Sequence, residues 1–302
     1  MDLGIGLPTA GPLASPSAIV RVAMEAERLE YAAVWTFERL LRPVGNTILP
    51  GSDEPQQTPE FYRCVYEPLV TLSHVAAVTS RIKLGTSVIN AVLHPPVVLA
   101  RRFAALDQFS NGRAIAGLGQ GWMREEFQTA GVPASRKGAG FEEAIAALRA
   151  TWGPDPVSFD GRFYTIAPSQ ISPKPVQDHI PILVGAITPK GIERAARVAD
   201  GLNPIAFSRE QLLGAATLFH DTAEQNGRDP ATLAVVARAN VPITDEPINH
   251  DRPFLGGSPE QIAGDLTTLD GKGISHVLFA NDASTDLETE LTLLQRLANT
   301  QR

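Results

Sequence analysis

Apolar positions along the chain alternate between two rhythms. Short unbroken runs predict buried strands at 3–7, 32–35, 82–88, 114–118, 181–185, 202–206, 234–241 and 274–279. Between them, apolar residues recur at helical spacing over 17–30, 67–80, 97–109, 141–151, 189–198, 209–226, 259–269 and 285–299. Eight strand–helix alternations predict an α/β fold of the (β/α)8 TIM-barrel type. Such a barrel needs about 250 residues. The chain of 302 therefore reads as one domain over 1–302. The punctuation agrees: Ser15-Pro16, Thr188-Pro189 and Ser258-Pro259 each set a capping side chain beside a first-turn proline. Asn111-Gly112 stops the third helix with residues that tolerate left-handed backbone.

Polar chemistry falls in the loops that follow the strands, where parallel α/β folds hold their ligands. Insertions are expected after strands 2, 4 and 7, in the connections 38–61, 153–180 and 242–257. The second of these carries an alternating stretch around Asp160-Gly161 that reads as a hairpin. Substrate selection is expected in these insertions, and Phe37, Leu40, Leu41, Phe61, Tyr62 and Phe254 predict a mainly apolar pocket.

Composition narrows the function. A net charge of -7 argues against nucleic-acid binding. Neither a signal-peptide pattern at Met1 nor an apolar run of about 18 residues is present, so a cytoplasmic protein without a membrane partner is expected. Cys64 is the only cysteine, and His74, His94, His179, His220, His250 and His276 are scattered, so no metal site is expected. The glycines of 117–121 lack the strand-to-helix context and downstream acid of a Rossmann fingerprint.

The strands and loops carry a recognisable set of motifs: LGIGLPT at 3–9, LGTSV at 84–88, LDxxSxGR at 106–113 and GLGxGW at 117–122. PILVGA at 181–186, AARVADG at 195–201 and GSPEQIA at 257–263 continue it. In their order and spacing the chain resembles the luciferase-like monooxygenase superfamily of flavin and deazaflavin oxidoreductases, most of all its coenzyme F420-dependent branch. The resemblance implies a barrel, assembled as a homodimer, with an isoalloxazine-type ring across the carboxyl ends of the strands. It places a non-proline cis peptide at Ser87-Val88 behind the ring, and Asn90 beside the ring's pyrimidine edge. Backbone at Gly185, Ala186, Ile187 and Thr188 would meet the cofactor, and the Thr188 hydroxyl and Lys190 would hold its phosphate. Gly119 allows close approach of the ring, Gln120 points into the site, and Trp35 walls the pocket or fills the barrel.

Glu38-Arg39 stands where many relatives carry an Asp-His or Glu-His pair. The sugar-phosphate dehydrogenase branch relies on a His after the second strand, a Trp nearby and a Glu after the fourth. Here the matching places hold Arg39, no clear Trp and Gln120, so that branch's proton acceptors do not carry over. Glu38, Arg39 and Gln120 are the catalytic candidates, with Arg39 also suited to an anionic substrate or cofactor tail. Arg39, Arg42, Lys190 and Arg252 are the basic groups available to an acidic tail. Hydride transfer between coenzyme F420 and a small organic substrate is the expected activity. Oxygenation by reduced FMN from a partner flavin reductase is the alternative, and a non-catalytic flavin-binding barrel the third reading.

Overall fold

The computed structural model describes residues 1–50, 52–281 and 284–300; position 51, inside the first expected insertion, lies outside the described residues, as do 282, 283, 301 and 302. Eight parallel strands form the barrel: β1 (Asp2–Gly6), β2 (Ala33–Thr36), β3 (Lys83–Thr86), β4 (Ala114–Gly119), β5 (Ile182–Val184), β6 (Gly201–Leu202), β7 (Ala234–Ala239) and β8 (His276–Phe279). Each pairs with its neighbours in sequence, and β8 meets β1 through Leu3↔Val277 and Gly4↔Leu278, which closes the sheet. Around it run α1 (Pro16–Arg28), α2 (Pro68–Ala76), α3 (Pro96–Ser110), α4 (Ala139–Trp152), α5 (Pro189–Val198), α6 (Arg209–Gln225), α7 (Pro259–Thr267) and α8 (Leu287–Asn299). The expected (β/α)8 barrel is the observed fold.

The strand period of two divides the core. Leu3, Ile5, Val34, Leu84 and Leu118 pack with Val22, Leu72, Leu99 and Phe103 in the layer between sheet and helices. Trp35, Leu183, Val236 and Leu278 form a separate cluster that fills the barrel. Trp35 occupies room that glycines leave, since a Cβ on Gly85 or Gly4 would collide with its indole.

Three expected strands end at least two residues early, among them 234–241, which stops at Ala239. The run 82–88 leaves the ladder after Thr86, bulges through Ser87-Val88, and rejoins β4 where Ile89 and Asn90 pair with Leu118 and Gly119. The run 202–206 keeps only Gly201–Leu202 as a ladder, with one further bridge from Ile205 to Arg238 beyond Pro204, a residue without an N–H to donate. The capping side chains work as expected: Ser15, Thr188 and Ser258 accept from the N–H groups of Ala18, Gly191 and Gln261. Asn111 is left-handed at φ 52°.

Of the insertions, the first carries a two-stranded ladder (Thr47–Ile48 with Pro55–Gln56) and a 3-10 turn at Glu60–Arg63. The loop after β4 forms a short helix, Arg124–Thr129, that the pattern did not predict. The hairpin Val157–Asp160/Thr165–Ser169 lies against α4, where the Glu143 carboxylate accepts from the N–H groups of Arg162, Phe163 and Tyr164. Among the described residues no helix is long and apolar enough to cross a membrane.

Candidate active site

The carboxyl ends of the strands surround a cavity of about 500 Å³. Its floor is the bulge after β3. The Ser87-Val88 peptide is cis, at the bond the family resemblance marks. Val88 is cradled by two glycines: a Cβ on Gly119 would stand 2.6 Å from one of its methyls, and a Cβ on Gly185 would stand 3.0 Å from the other. Below the bulge, the Ser87 hydroxyl bonds Asn203 Oδ1 at 2.6 Å, and Asn203 Nδ2 donates to the Val236 carbonyl at 2.6 Å. Arg238 donates to the Ser87 carbonyl oxygen and lies 5.2 Å over the Phe37 ring. The bulge is thus held through Ser87 by two side chains, Asn203 just past β6 and Arg238 on β7.

One wall is ionic. Glu38, buried at 4 % exposure, places Oε1 2.7 Å from His94 Nε2, and its Oε2 accepts from the Asn90 N–H at 2.8 Å. Next to it, Arg39 pairs with Glu126 at 3.0 Å, and the Leu40 N–H also donates to the Glu126 carboxylate. The Arg39 guanidinium is flanked by Tyr62 and Trp122, 5.3 and 4.9 Å from the ring centroids. Burial pushes the Glu126 carboxyl above the usual carboxylate range, opposed by the charge of Arg39.

The opposite side is the β5–α5 loop. Gly185, Ala186, Ile187 and Thr188 line the cavity, and the Thr188 hydroxyl accepts from the Gly191 N–H at 3.3 Å as the cap of α5. Ile187 and Ile205 also border an adjoining apolar depression of about 630 Å³.

The structure therefore gathers Glu38, Arg39, Ser87, Val88, Asn90, Gly119, Gln120, Gly185, Ala186, Ile187 and Thr188 around one cavity. Two expected residues stand apart. Trp35 does not wall the pocket: its alternation on β2 turns it into the barrel, where it is 2 % exposed. Lys190 is exposed on α5 and is not among the lining residues. Arg39 lines the cavity with its guanidinium paired to Glu126. Gln120 also lines it, with Oε1 accepting from the Gly138 N–H at 2.6 Å. The expectation that three insertions shape the pocket narrows to one: Arg39, Pro50 and Tyr62 come from the connection after β2, and the hairpin and the 242–257 segment supply no lining residue.

Sequence reading missed four side chains here. Arg238 carried a signal, as the one charge in the apolar run of β7 and in step with Val236, whose face fills the barrel. Asn203, His94 and Glu126 carried none, because their partners lie 116, 56 and 87 positions away.

Comparison with known proteins agrees with this fold. The luciferase-like monooxygenase family matches residues 1–249. An uncharacterized protein of Mycobacterium tuberculosis is 37% identical over 203 residues, 67% of this chain and 71% of that protein. The F420-dependent glucose-6-phosphate dehydrogenase of Amycolatopsis mediterranei is 29% identical over 203 residues, 66% of this chain and 56% of that enzyme. Among solved structures, monooxygenase RslO1 of Streptomyces bottropensis superposes with a TM-score of 0.82 at 23% identity, covering 99% of this chain and 98% of that one. The coenzyme F420-dependent tetrahydromethanopterin reductase of Methanopyrus kandleri gives 0.79 at 18%, covering 99% and 97%. These structural likenesses speak for the fold, and the family match and the 37% relative speak for descent. The chain belongs to the luciferase-like monooxygenase family.

Proposed function

We propose that the protein is a deazaflavin-dependent oxidoreductase that transfers hydride between coenzyme F420 and a small, mainly apolar organic substrate. The observation that carries this reading is the glycine-lined seat of Val88. Gly119 and Gly185 leave the room that its methyls fill, so the Ser87-Val88 bulge forms a fixed floor to the cavity against which a flat tricyclic ring would lie. Ser87, Val88, Asn90 and Gly119 would hold the ring, and backbone at Ala186, Ile187 and Thr188 would meet its side chain near the N-terminus of α5. When bound, the deazaflavin supplies the hydride chemistry. The protein's part is orientation and proton management: Phe37, Tyr62 and Ile205 exclude water from the cavity, and Glu38 is the acid–base group within it. A homodimer in the cytoplasm belongs to the same proposal.

A second reading, oxygenation by reduced FMN delivered from a flavin reductase, draws on the rim charges. Arg39, Arg42 and Arg252 pair with Glu126, Glu60 and Asp265, which leaves little of the expected basic rim for an acidic cofactor tail. The two are separated by titrating the protein's tryptophan fluorescence with oxidised coenzyme F420 and, in parallel, with FMN, since Trp122 lines the cavity. Micromolar quenching by the deazaflavin alone is the expected result. Preference for FMN selects the monooxygenase, and binding of neither removes both in favour of a non-catalytic barrel.

A further inference from the structure

A second concavity, about 460 Å³, lies outside the barrel wall between the start of α3 and the turn of the hairpin, with His94, Arg136 and Tyr164 on its surface. Glu38 and His94 stand back to back between the two spaces. Glu38 lines the barrel cavity, His94 lines the outer groove, and the 2.7 Å contact from Glu38 Oε1 to His94 Nε2 joins them. Both members are held in place. The Asn90 N–H fixes the far carboxylate oxygen of Glu38. His94 closes the short turn Ala91–Leu93 immediately before Pro95, and its side chain is 16 % exposed. Of the charged groups around them, Arg39 is bound to Glu126, and Arg136 stacks at 5.1 and 5.0 Å over Phe163 and Tyr164.

We propose that Glu38 and His94 form a proton relay through the barrel wall, which connects the reaction cavity with solvent in the outer groove. The proposal rests on the hydride-transfer reading above and adds to it the route of the proton. A cofactor and substrate that fill the cavity shut out bulk water, so a side entrance is what keeps acid–base chemistry running. For a carbonyl substrate the steps balance as follows. Hydride from the reduced deazaflavin forms the new C–H bond while the C=O π pair becomes an O–H bond, using the proton of the Glu38 carboxyl. Glu38 is re-protonated from His94 Nε2–H while His94 Nδ1 takes a proton from groove water, which leaves the Nδ1–H tautomer; proton exchange of the ring with that water restores Nε2–H before the next turnover. Oxidation of the corresponding alcohol runs the same sequence in reverse. Glu38 is the catalytic residue of this pair, and His94 acts through it.

The test reads the two ring nitrogens of His94 separately, by NMR of the full chain carrying nitrogen-15 histidine, with and without saturating oxidised coenzyme F420 or FMN. His94→Gln identifies the signals. The expected result is that filling the cavity changes protonation at Nε2 and Nδ1 together, although His94 lies outside the cavity, while His74 and His250 stay unmoved. In Glu38→Gln, compared at the same saturation, the response disappears; Glu38→Asp, which withdraws the carboxylate from His94, gives the same loss should the glutamine variant fail to fold. A His94 ring that ignores bound coenzyme F420 overturns the relay and leaves the hydride-transfer reading standing. If coenzyme F420 does not bind, whether or not FMN does, that reading falls and the relay falls with it.

Discussion

At the scale of single residues, Arg39 and Glu126 show how burial decides what a charge does. Their side chains are 9% and 0% exposed, so each is tolerable only because of the other. Replacing Arg39 by Met strands the Glu126 carboxylate and is expected to cost about 3–5 kcal/mol in urea unfolding. Arg39→Met with Glu126→Leu should recover much of that loss; a double variant no more stable than the single one would show that the pair is not the cause. Gly119 acts through space rather than charge. Gly119→Ala puts a methyl 2.6 Å from the stiff Val88 side chain, so it should cost about 1–3 kcal/mol of stability and weaken cofactor binding about tenfold or more. Unchanged affinity would mean that the cradle does not shape the ring site.

At the scale of elements, the start of α5 couples helix stability to the site. Thr188 caps the Gly191 N–H, and Pro189 occupies the first turn, where its missing N–H costs nothing. Thr188→Ala should destabilise the fold by about 1 kcal/mol and weaken cofactor binding, whereas Thr188→Ser keeps the cap and should keep both. Binding that survives the alanine variant would confine Thr188 to its capping role. α5 was legible to its last residue, because Thr188-Pro189 marks its start and apolar spacing its length. The hairpin was legible from its alternation around Asp160-Gly161, but its placement against α4 was not: that comes from Glu143 reaching N–H groups 19 to 21 positions away.

At the scale of the whole molecule, stability should depend on pH through His276. Its ring is packed inside the barrel against Trp35, with centroids 5.6 Å apart, and burial lowers its pKa from 6.5 to about 4. The unfolded chain therefore binds this proton more readily than the folded one. Its contribution is complete above pH 6.5 and is lost as the pH falls towards 4, a change on the order of 3 kcal/mol. His276→Leu should flatten the fall in unfolding free energy over that window; an unaltered slope would assign the acid sensitivity elsewhere. Glu126 works in the opposite sense. Its pKa is raised in the fold, so its contribution shrinks as the pH rises through the folded value.

The barrel, its eight strand–helix units and the rim on which the site sits were readable from local pattern alone, since periodicity, caps and turn residues act between neighbours a few positions apart. The strand-end residues that line the cavity, such as Ser87, Asn90, Gly119 and Ala186, were placed there by the family resemblance of their motifs rather than by local pattern. Which charges meet was decided only in three dimensions. Arg39 is bound by Glu126, Glu38 by His94, and Ser87 by Asn203 and Arg238, across separations of 56 to 151 positions. Closing the barrel brings these side chains together, and burial then makes a partner obligatory, a requirement that no local pattern encodes.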